Sequence, residues 1–429
     1  MTTDPKGPIF ISYRQRDGTA VAAELASLLR TAGLPVWRDR DDLPPGDTES
    51  RLTQAISAGI SGAVLVVTPD IVNSNVVKSV EAPRLLGLHH SQPEFALAIA
   101  NAVETESRST DYAAPDTLLG IEPGTLAGVD QHPTDRAGLL HIVRQLMWHR
   151  AANHRPRVTL TNTCELSVQT RNQPQSYDRT PSVFDIRVRP SDHERLPSTT
   201  GLTDLRDTIG FLPDAITRSA AQRVQIRGGA HLCVAVAVGA ALPSTRIGHI
   251  DVIDQQGKFW ASSGEARLST PPHIYIESQG VGDAPIASRR RAVAVYLDLM
   301  KPSSDAAFER YLEDSRQRLS AWLHLRSTGG DLLDHSAAGA IAAEAAARIR
   351  TLANDHGNAD VHLLLRCPFP IAILLGRLTN TLRVVAYEWD DGDQGRDDAG
   401  RPRYVPTLRI RASATAGAIE EVLLGPTEG

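Results

Sequence analysis

Two stretches of this 429-residue chain place an arginine at the end of a strand-like run, then a short turn, then an apolar helix: RGGAHLCVAVAVGAAL at 227–242 and RCPFPIAILLGRL at 366–378. Such a turn leaves the first backbone N–H groups of the helix without intrahelical partners, and the helix dipole makes that end favourable for an anion such as a phosphate. Arg227 and Arg366 add positive charge beside Gly228-Gly229 and Cys367-Pro368. Glycines and prolines also simply start helices in α/β proteins, so phosphate binding and plain helix initiation are both open here. Near the N-terminus, Tyr13 and Trp37 fall at or near the carboxyl ends of two adjacent strands, the edge on which open parallel sheets bind ligands. For each ring, stacking on a ligand and packing in the core are equally open. Ser12, Arg14 and the cluster 38–42, with Arg38 and Asp41, are candidate ribose or phosphate contacts, or else a solvated loop.

Other chemistries lack their motifs. GxxxxGK[ST], HExxH and GxSxG are missing, and no cysteine and histidine spacing suits a metal. Cys164, Cys233 and Cys367 lie too far apart for a local disulfide or zinc framework and read as buried small hydrophobes. His89-His90 reads as a surface or packing pair, and Glu104 and Glu106 as solvated. Residues 1–155 carry 14 basic against 18 acidic residues, and 156–429 carry 31 against 32, so neither part has the basic excess of a protein that tracks long nucleic acid. No apolar stretch approaches the roughly 18 residues of a membrane span, and the first residues lack a secretory signal. The expectation is a cytoplasmic protein with no membrane and no long nucleic acid among its partners.

The elements that must position these residues alternate strand and helix, which favours parallel α/β sheets. Residues 8–13, 35–38, 63–68 and 95–100 read as strands, with helices at 17–32, 48–58, from about 74, and at 133–152; residues 105–132 read as loop. Further strands are expected at 158–168, 183–188, 224–227, 248–253, 273–277, 292–299, 321–326, 361–366, 383–387 and 404–410. Helices are expected at 202–222, 231–242, 305–319, 336–354 and 368–378. At this length two or three folded units are expected. The two arginine-led stretches share an inner glycine, Gly239 and Gly376, the pattern of two related α/β halves within 156–429.

The first part resembles a TIR domain through IFISYRQRDG (9–18), LPVWRDRDDLPPGD (34–47) and AVLVVTPDIVNSNVVKSVEAPRL (63–85). The resemblance implies a flavodoxin-like parallel sheet over 1–152 and makes 39–47 the loop that contacts a neighbouring domain in head-to-tail assemblies. In TIR domains that cleave NAD+, a glutamate on the helix after the third strand is catalytic, and Glu81, seven residues after Ser74, matches it. The chain departs from the family in having Val76-Val77 where many members carry an aromatic residue, and Pro83 falls within the proposed helix. A fixed carboxylate suits this chemistry: breaking the ribose–nicotinamide bond leaves an oxocarbenium-like sugar whose hydroxyls it can orient and whose positive charge it can stabilise. Nicotinamide is already a cationic leaving group, so no metal is required.

The second part, 157–429, resembles a SAVED domain, a cyclic-oligonucleotide sensor of two fused CARF-like Rossmann halves, here 157–285 and 286–429. The arginine-led pair carries this resemblance, with AWLHLRSTGGD (321–331), LRVVAYEWDD (382–391) and RYVPTLRI (403–410). Two helix starts facing each other across a pseudo-two-fold would suit a small cyclic ligand with phosphates on opposite sides. The candidate contacts are Arg227, Gly228, His231, Arg326, Arg366 and Phe369, with Trp260, Trp389 and Tyr404 as adenine-stacking rings or core residues. The family likeness favours cyclic tri-adenylate as activator and needs no cofactor beyond NAD+ as substrate. Together the resemblances imply a CBASS-type antiphage effector: the ligand promotes self-association into an oligomer or filament, and the assembled TIR domains cleave NAD+. The alternatives are a non-catalytic TIR scaffold assembled by the second messenger and a housekeeping protein whose α/β halves sense a metabolite.

Overall fold

The computed structural model describes residues 3–38, 57–171, 182–189, 191, 195–262, 265, 267–285, 291–330 and 333–425. The loop expected at 39–47, which includes Asp41, and most of the helix expected at 48–58 lie outside the described residues. The chain divides into two compact units, one of residues 1–167 with 173–187 and 214–221, the other of 168–172, 188–213 and 222–429.

In the first unit, β1 (Ile9–Tyr13), α1 (Thr19–Thr31), β2 (Val36–Arg38), β3 (Gly62–Val67), α2 (Ala82–Ser91), β4 (Ala96–Asn101), α3 (Ala114–Leu119), β5 (Asp130–Pro133) and α4 (Arg136–Thr161) follow in order. The sheet runs β2-β1-β3-β4-β5 and every pair is parallel. IFISY and GAVLVV are buried along their whole length, as strands covered by helices on both faces must be. Between β3 and α2 lie a 3₁₀ turn, Pro69–Asn73, and a π-helical turn, Val77–Glu81, which runs directly into α2 with Pro83 as its second residue.

Two readings need correction here. Residues 105–132 contain α3 and the start of β5, and the strand expected from residue 158 is helix through Thr161. Asp135 caps α4 by accepting from the Gly138 N–H at 2.7 Å, and Asn162 ends it in the left-handed conformation, φ 53°. Within α4 the buried Arg150 donates to the carbonyls of Val183 at 2.7 Å and Gly7 at 3.0 Å, and burial lowers its pKa to about 10. Ala151, His154 and Val158 continue the buried face at helical spacing, and this packing outweighs the β-branched character of 158–163; the chain becomes extended only in β6 (Thr163–Gln169), followed by β7 (Phe184–Arg187).

The expected helix 202–222 is divided into α5 (Thr199–Thr208), a 3₁₀ turn and α6 (Leu212–Arg218). The second unit continues with β8 (Arg223–Gly229), α7 (Leu232–Ala241), β9 (His249–Ile253) and β10 (Phe259–Ala261), β8 parallel to β9 and β9 antiparallel to β10. Then come β11 (Ile274–Val281), β12 (Ala292–Asp298), α8 (Ala306–Ser315), β13 (Ala321–Ser327), α9 (Ala338–Asp355), β14 (Asp360–Arg366), α10 (Phe369–Arg377), β15 (Val384–Asp390), β16 (Arg403–Ile410) and β17 (Ile419–Val422). These strands form one sheet, β11-β13-β12-β14-β15-β16-β17, parallel from β13 to β15 and antiparallel at both margins.

The two inner glycines lock α7 and α10 together reciprocally. A Cβ on Gly239 would lie 2.1 Å from the Ile373 carbonyl, and one on Gly376 would lie 2.2 Å from the Val236 carbonyl. Each glycine thus meets the carbonyl three residues before its counterpart, the relation a pseudo-two-fold requires. The second unit therefore holds the two related halves that the repeat in the sequence implies.

Candidate functional site

An open parallel sheet binds ligands beyond the carboxyl ends of its strands, where the strand order reverses direction. In the first unit that point lies between β1 and β3. Ser12 is the penultimate residue of β1, and its hydroxyl donates to Oε2 of Glu81 at 2.5 Å; both side chains are buried, Glu81 only 6% exposed. Glu81 ends the π turn, between the partly buried Val80 and the buried Ala82, and such turns recur at functional sites. At the end of β3, Thr68 is buried with its hydroxyl lacking a hydrogen-bond partner among the described residues. Arg14 pairs with Asp70 at 3.0 Å and Asp17 at 3.4 Å on the rim. Tyr13 is buried, and Trp37 packs against Phe10, ring centroids 5.1 Å apart, inside the core cluster. Of the candidates here, Ser12 and Glu81 meet directly, whereas Trp37 takes the packing role. Arg38 ends β2, and Asp41 lies outside the described residues.

In the seven-stranded sheet the order reverses at β12. The parallel register sets Asp298, Arg326 and Arg366 side by side at the carboxyl ends of β12, β13 and β14. Asp298 Oδ1 accepts from Nη1 of Arg366 at 2.7 Å, and Oδ2 lies 3.9 Å from Nε of Arg326. Arg326 is held more heavily. Its Nη1 meets Glu277 at 2.8 Å and its Nη2 is paired with Asp305. Burial works against the Arg326 cation, but Asp305, Glu277 and Asp298 together raise its pKa above the usual value. Glu277 comes from a bulge in β11, where the register skips between Ile276 and Ser278, a distortion that re-aims a side chain. Asp298, Asp305 and His324 bring ligand atoms within 4.8 Å of one another, but the two guanidinium groups already occupy the carboxylates as a metal cation would.

The start of α7 differs from expectation. Gly228 has φ +117°, and a Cβ there would lie 2.1 Å from the Val168 carbonyl, so backbone packing alone requires glycine. His231 is buried, its backbone N–H donating to Thr170 Oγ1 at 2.8 Å and its Nδ1 hydrogen-bonded to the same hydroxyl. The N–H of Cys233 is not open to a phosphate, because it donates to the Glu388 carboxylate at 2.6 Å. Burial pushes Glu388 up to about 7 even though Cys233, Leu232 and Arg171 favour its anion. At the other end of α7, Arg377 donates to the carbonyls of Leu242, Ile247 and Gly248. Acid at the first turn and base at the last match the helix dipole.

Two stacking candidates belong to the core. Trp260 is buried with its Nε1–H donating to Asp254 at 2.9 Å, and Tyr404 is buried against Tyr296 at 5.9 Å. Both rings are taken up by the fold itself. Trp389 is 39% exposed on β15, opposite in direction to the buried Glu388 before it. Arg227 is exposed on β8, and Phe369 opens α10. All three cysteines are buried, as the sequence suggested. Asp298, Glu388 and Thr68 escaped sequence reading, since a single acid or hydroxyl at a strand end carries no spacing signal; only the register reveals it.

Residues 9–110 match the family model described as TIR domain, and residues 205–410 match that of SAVED, the SMODS-associated and fused to various effectors sensor domain. No curated protein matches the chain. Among solved structures, it is similar to the Acinetobacter baumannii Cap4 SAVED/CARF-domain containing receptor with the cyclic trinucleotide 3'3'3'-cAAA, at 11% identity over 92% of this chain and 97% of that one, TM-score 0.43. The same receptor with 2'3'3'-cAAA gives 11% identity over 92% and 98%, TM-score 0.44. The Moraxella osloensis Cap4 receptor gives 13% over 84% and 83%, TM-score 0.38.

Proposed function

Because this chain joins a TIR domain to a SAVED sensor domain, we propose that it is a second-messenger-activated NAD+ glycohydrolase, an effector of CBASS-type antiphage defence. The observation that carries the enzymatic reading is the buried Glu81 carboxylate held by Ser12 at 2.5 Å, at the strand-order reversal of the first sheet. In the reaction the bond between the anomeric carbon of ribose and the nicotinamide nitrogen breaks. Its electron pair goes to the nitrogen, giving neutral nicotinamide. Water adds to the sugar and gives up a proton, yielding ADP-ribose; attack by a group within the nucleotide would give a cyclised product. Glu81 stabilises the positive charge that grows on the sugar, and the Ser12 hydroxyl fixes the carboxylate's orientation so that little reorganisation accompanies the reaction. NAD+ is consumed as substrate and no cofactor is invoked.

Activation follows from the SAVED domain binding a cyclic oligonucleotide, with cyclic tri-adenylate the favoured candidate. A ligand shifts self-association only through its differential affinity for the assembled form. Head-to-tail contacts of the kind expected at 39–47 would extend into an oligomer or filament unless they close a ring.

The test is nicotinamide release from NAD+ by the full chain, alone and with a panel of cyclic oligonucleotides. Turnover is expected only with a cognate ligand, rising more steeply than linearly with protein concentration. Glu81→Gln is expected to lose at least about 100-fold, roughly 2.7 kcal/mol of transition-state stabilisation, with ligand binding intact. A variant keeping more than about a tenth of the activity removes Glu81 from the chemistry. Ligand-driven assembly without any turnover would establish the scaffold reading.

A further inference from the structure

Arg326 and Arg366 look equivalent in the sequence, each closing a strand of the same sheet, but their surroundings are not. Both terminal nitrogens of Arg326 are committed, one to Glu277 and one to Asp305, and its Nε faces Asp298. That Nε is buried without a hydrogen-bond partner among the described residues, so a phosphate approaching Arg326 would have to displace the carboxylates that hold its two terminal nitrogens, Nη1 and Nη2, and would meet their negative charge on the way. Arg366 is engaged through Nη1 alone, which donates to Asp298 at 2.7 Å and to the Met300 carbonyl at 2.9 Å. Its Nε and Nη2 have no partner among the described residues, and its side chain is 20% exposed.

Asp298 decides this asymmetry. Its side chain is fully buried, its Oδ2 accepts the Ser304 N–H at 3.2 Å, and its Oδ1, the oxygen that takes Arg366, also accepts the Met300 N–H at 3.4 Å, so both oxygens are fixed by backbone. A planar guanidinium pinned at one nitrogen to an immobile acceptor has its remaining edge aimed in one direction.

We propose that Asp298 is a positioning residue that aims the open edge of Arg366 at a phosphate of the ligand, and that Arg326 is withheld from the ligand as a clasp between β13, β11 and the loop before α8. The proposal rests on the reading that this domain binds a cyclic oligonucleotide, and it names which arginine does so.

Calorimetry of the full chain with 3'3'3'-cyclic tri-adenylate tests it, each variant being checked by thermal unfolding. Arg366→Gln is expected to weaken binding at least about tenfold, the scale of a charge-assisted hydrogen bond. Arg326→Gln is expected to bind within about threefold of wild type while melting at a lower temperature. Asp298→Asn is expected to match the Arg366→Gln loss, and the double variant Asp298→Asn/Arg366→Gln to lose no more than either alone. A purely structural role for Asp298 would instead make the losses add. Additive losses, or a larger binding loss for Arg326→Gln than for Arg366→Gln, overturn the proposal. The comparison of the two arginines stands even if Asp298→Asn does not fold. Wild-type protein that binds the trinucleotide but shows the wrong ranking defeats this inference alone. Wild-type protein that binds neither this trinucleotide nor its 2'3'3' isomer defeats the functional reading and this inference with it.

Discussion

The reversal points among the parallel strands of the two sheets occupy the same topological position and hold different chemistry. Between β1 and β3 a buried carboxylate faces a hydroxyl, Glu81 on Ser12; at β12 a buried carboxylate faces two guanidinium groups, Asp298 with Arg366 and Arg326. The Ser12 hydroxyl orients the Glu81 carboxylate, which suits a group whose placement against a developing cation matters. A guanidinium neutralises the carboxylate and is itself held in place, which suits recognition of an anion. The same topological position thus carries an acidic side chain in both sheets, set against a hydroxyl in one and against guanidinium groups in the other.

Four substitutions break or sharpen that contrast. The largest effect is expected from Glu81→Gln, described above, because it removes the charge at one sheet edge while leaving the other intact. Next, Gly376→Ala forces a methyl group to 2.2 Å from the Val236 carbonyl and is expected to cost about 1–3 kcal/mol of stability, read as a lower melting temperature of the second unit with Glu81 chemistry unaltered in kind. A melting temperature unchanged within error would show that α7 and α10 are not locked as described. Ser12→Ala removes only the orienting hydroxyl, so NAD+ turnover is expected to fall about tenfold, near 1.4 kcal/mol, with most of the loss in kcat. Equal activity would mean that Glu81 is oriented by other contacts.

The smallest effect concerns Glu388. Its folded pKa, raised to about 7 by burial, exceeds the ordinary glutamate value of 4.5, so the folded state holds this proton more tightly than the unfolded chain does. The stability it contributes is present in full below the ordinary value and is lost as pH rises through about 7. Thermal unfolding between pH 4.5 and 7.5 is therefore expected to show a decline in wild type that is shallower in Glu388→Gln. Parallel curves would show that Glu388 stays ionised throughout this range.

What the sequence discloses and what it hides follow from the range of the physics. Continuous apolar runs such as IFISY and GAVLVV announce buried parallel strands because burial on both faces leaves no polar positions. The shared inner glycine of 227–242 and 366–378 announces the two halves, and it occupies the contact that only glycine permits. The end of α4 could not be read because its local residues favour a strand, and the buried face that keeps it helical, Ala151, His154 and Val158, carries no local mark of its packing. The Ser12–Glu81 pair spans 69 residues and could be placed only through a family likeness, whereas Asp298 and Glu388 have neither a motif nor a family residue to point at them. Trp260 and Tyr404 show a further limit: ring chemistry is visible in the sequence, but the face of the strand that carries it is not.

The glycine contact between α7 and α10 also has a mechanical meaning. Two helices whose backbones touch, carbonyl against α-carbon, have no compliant side-chain layer between them to absorb a displacement. They behave as meshed teeth: neither can slide by a fraction of a residue without carrying the other. Arg366 lies three residues before the first residue of α10, and α7 begins three residues after Gly229 closes β8. A displacement at the start of α10, three residues from Arg366, is therefore expected to be carried to α7 rather than absorbed between the two helices.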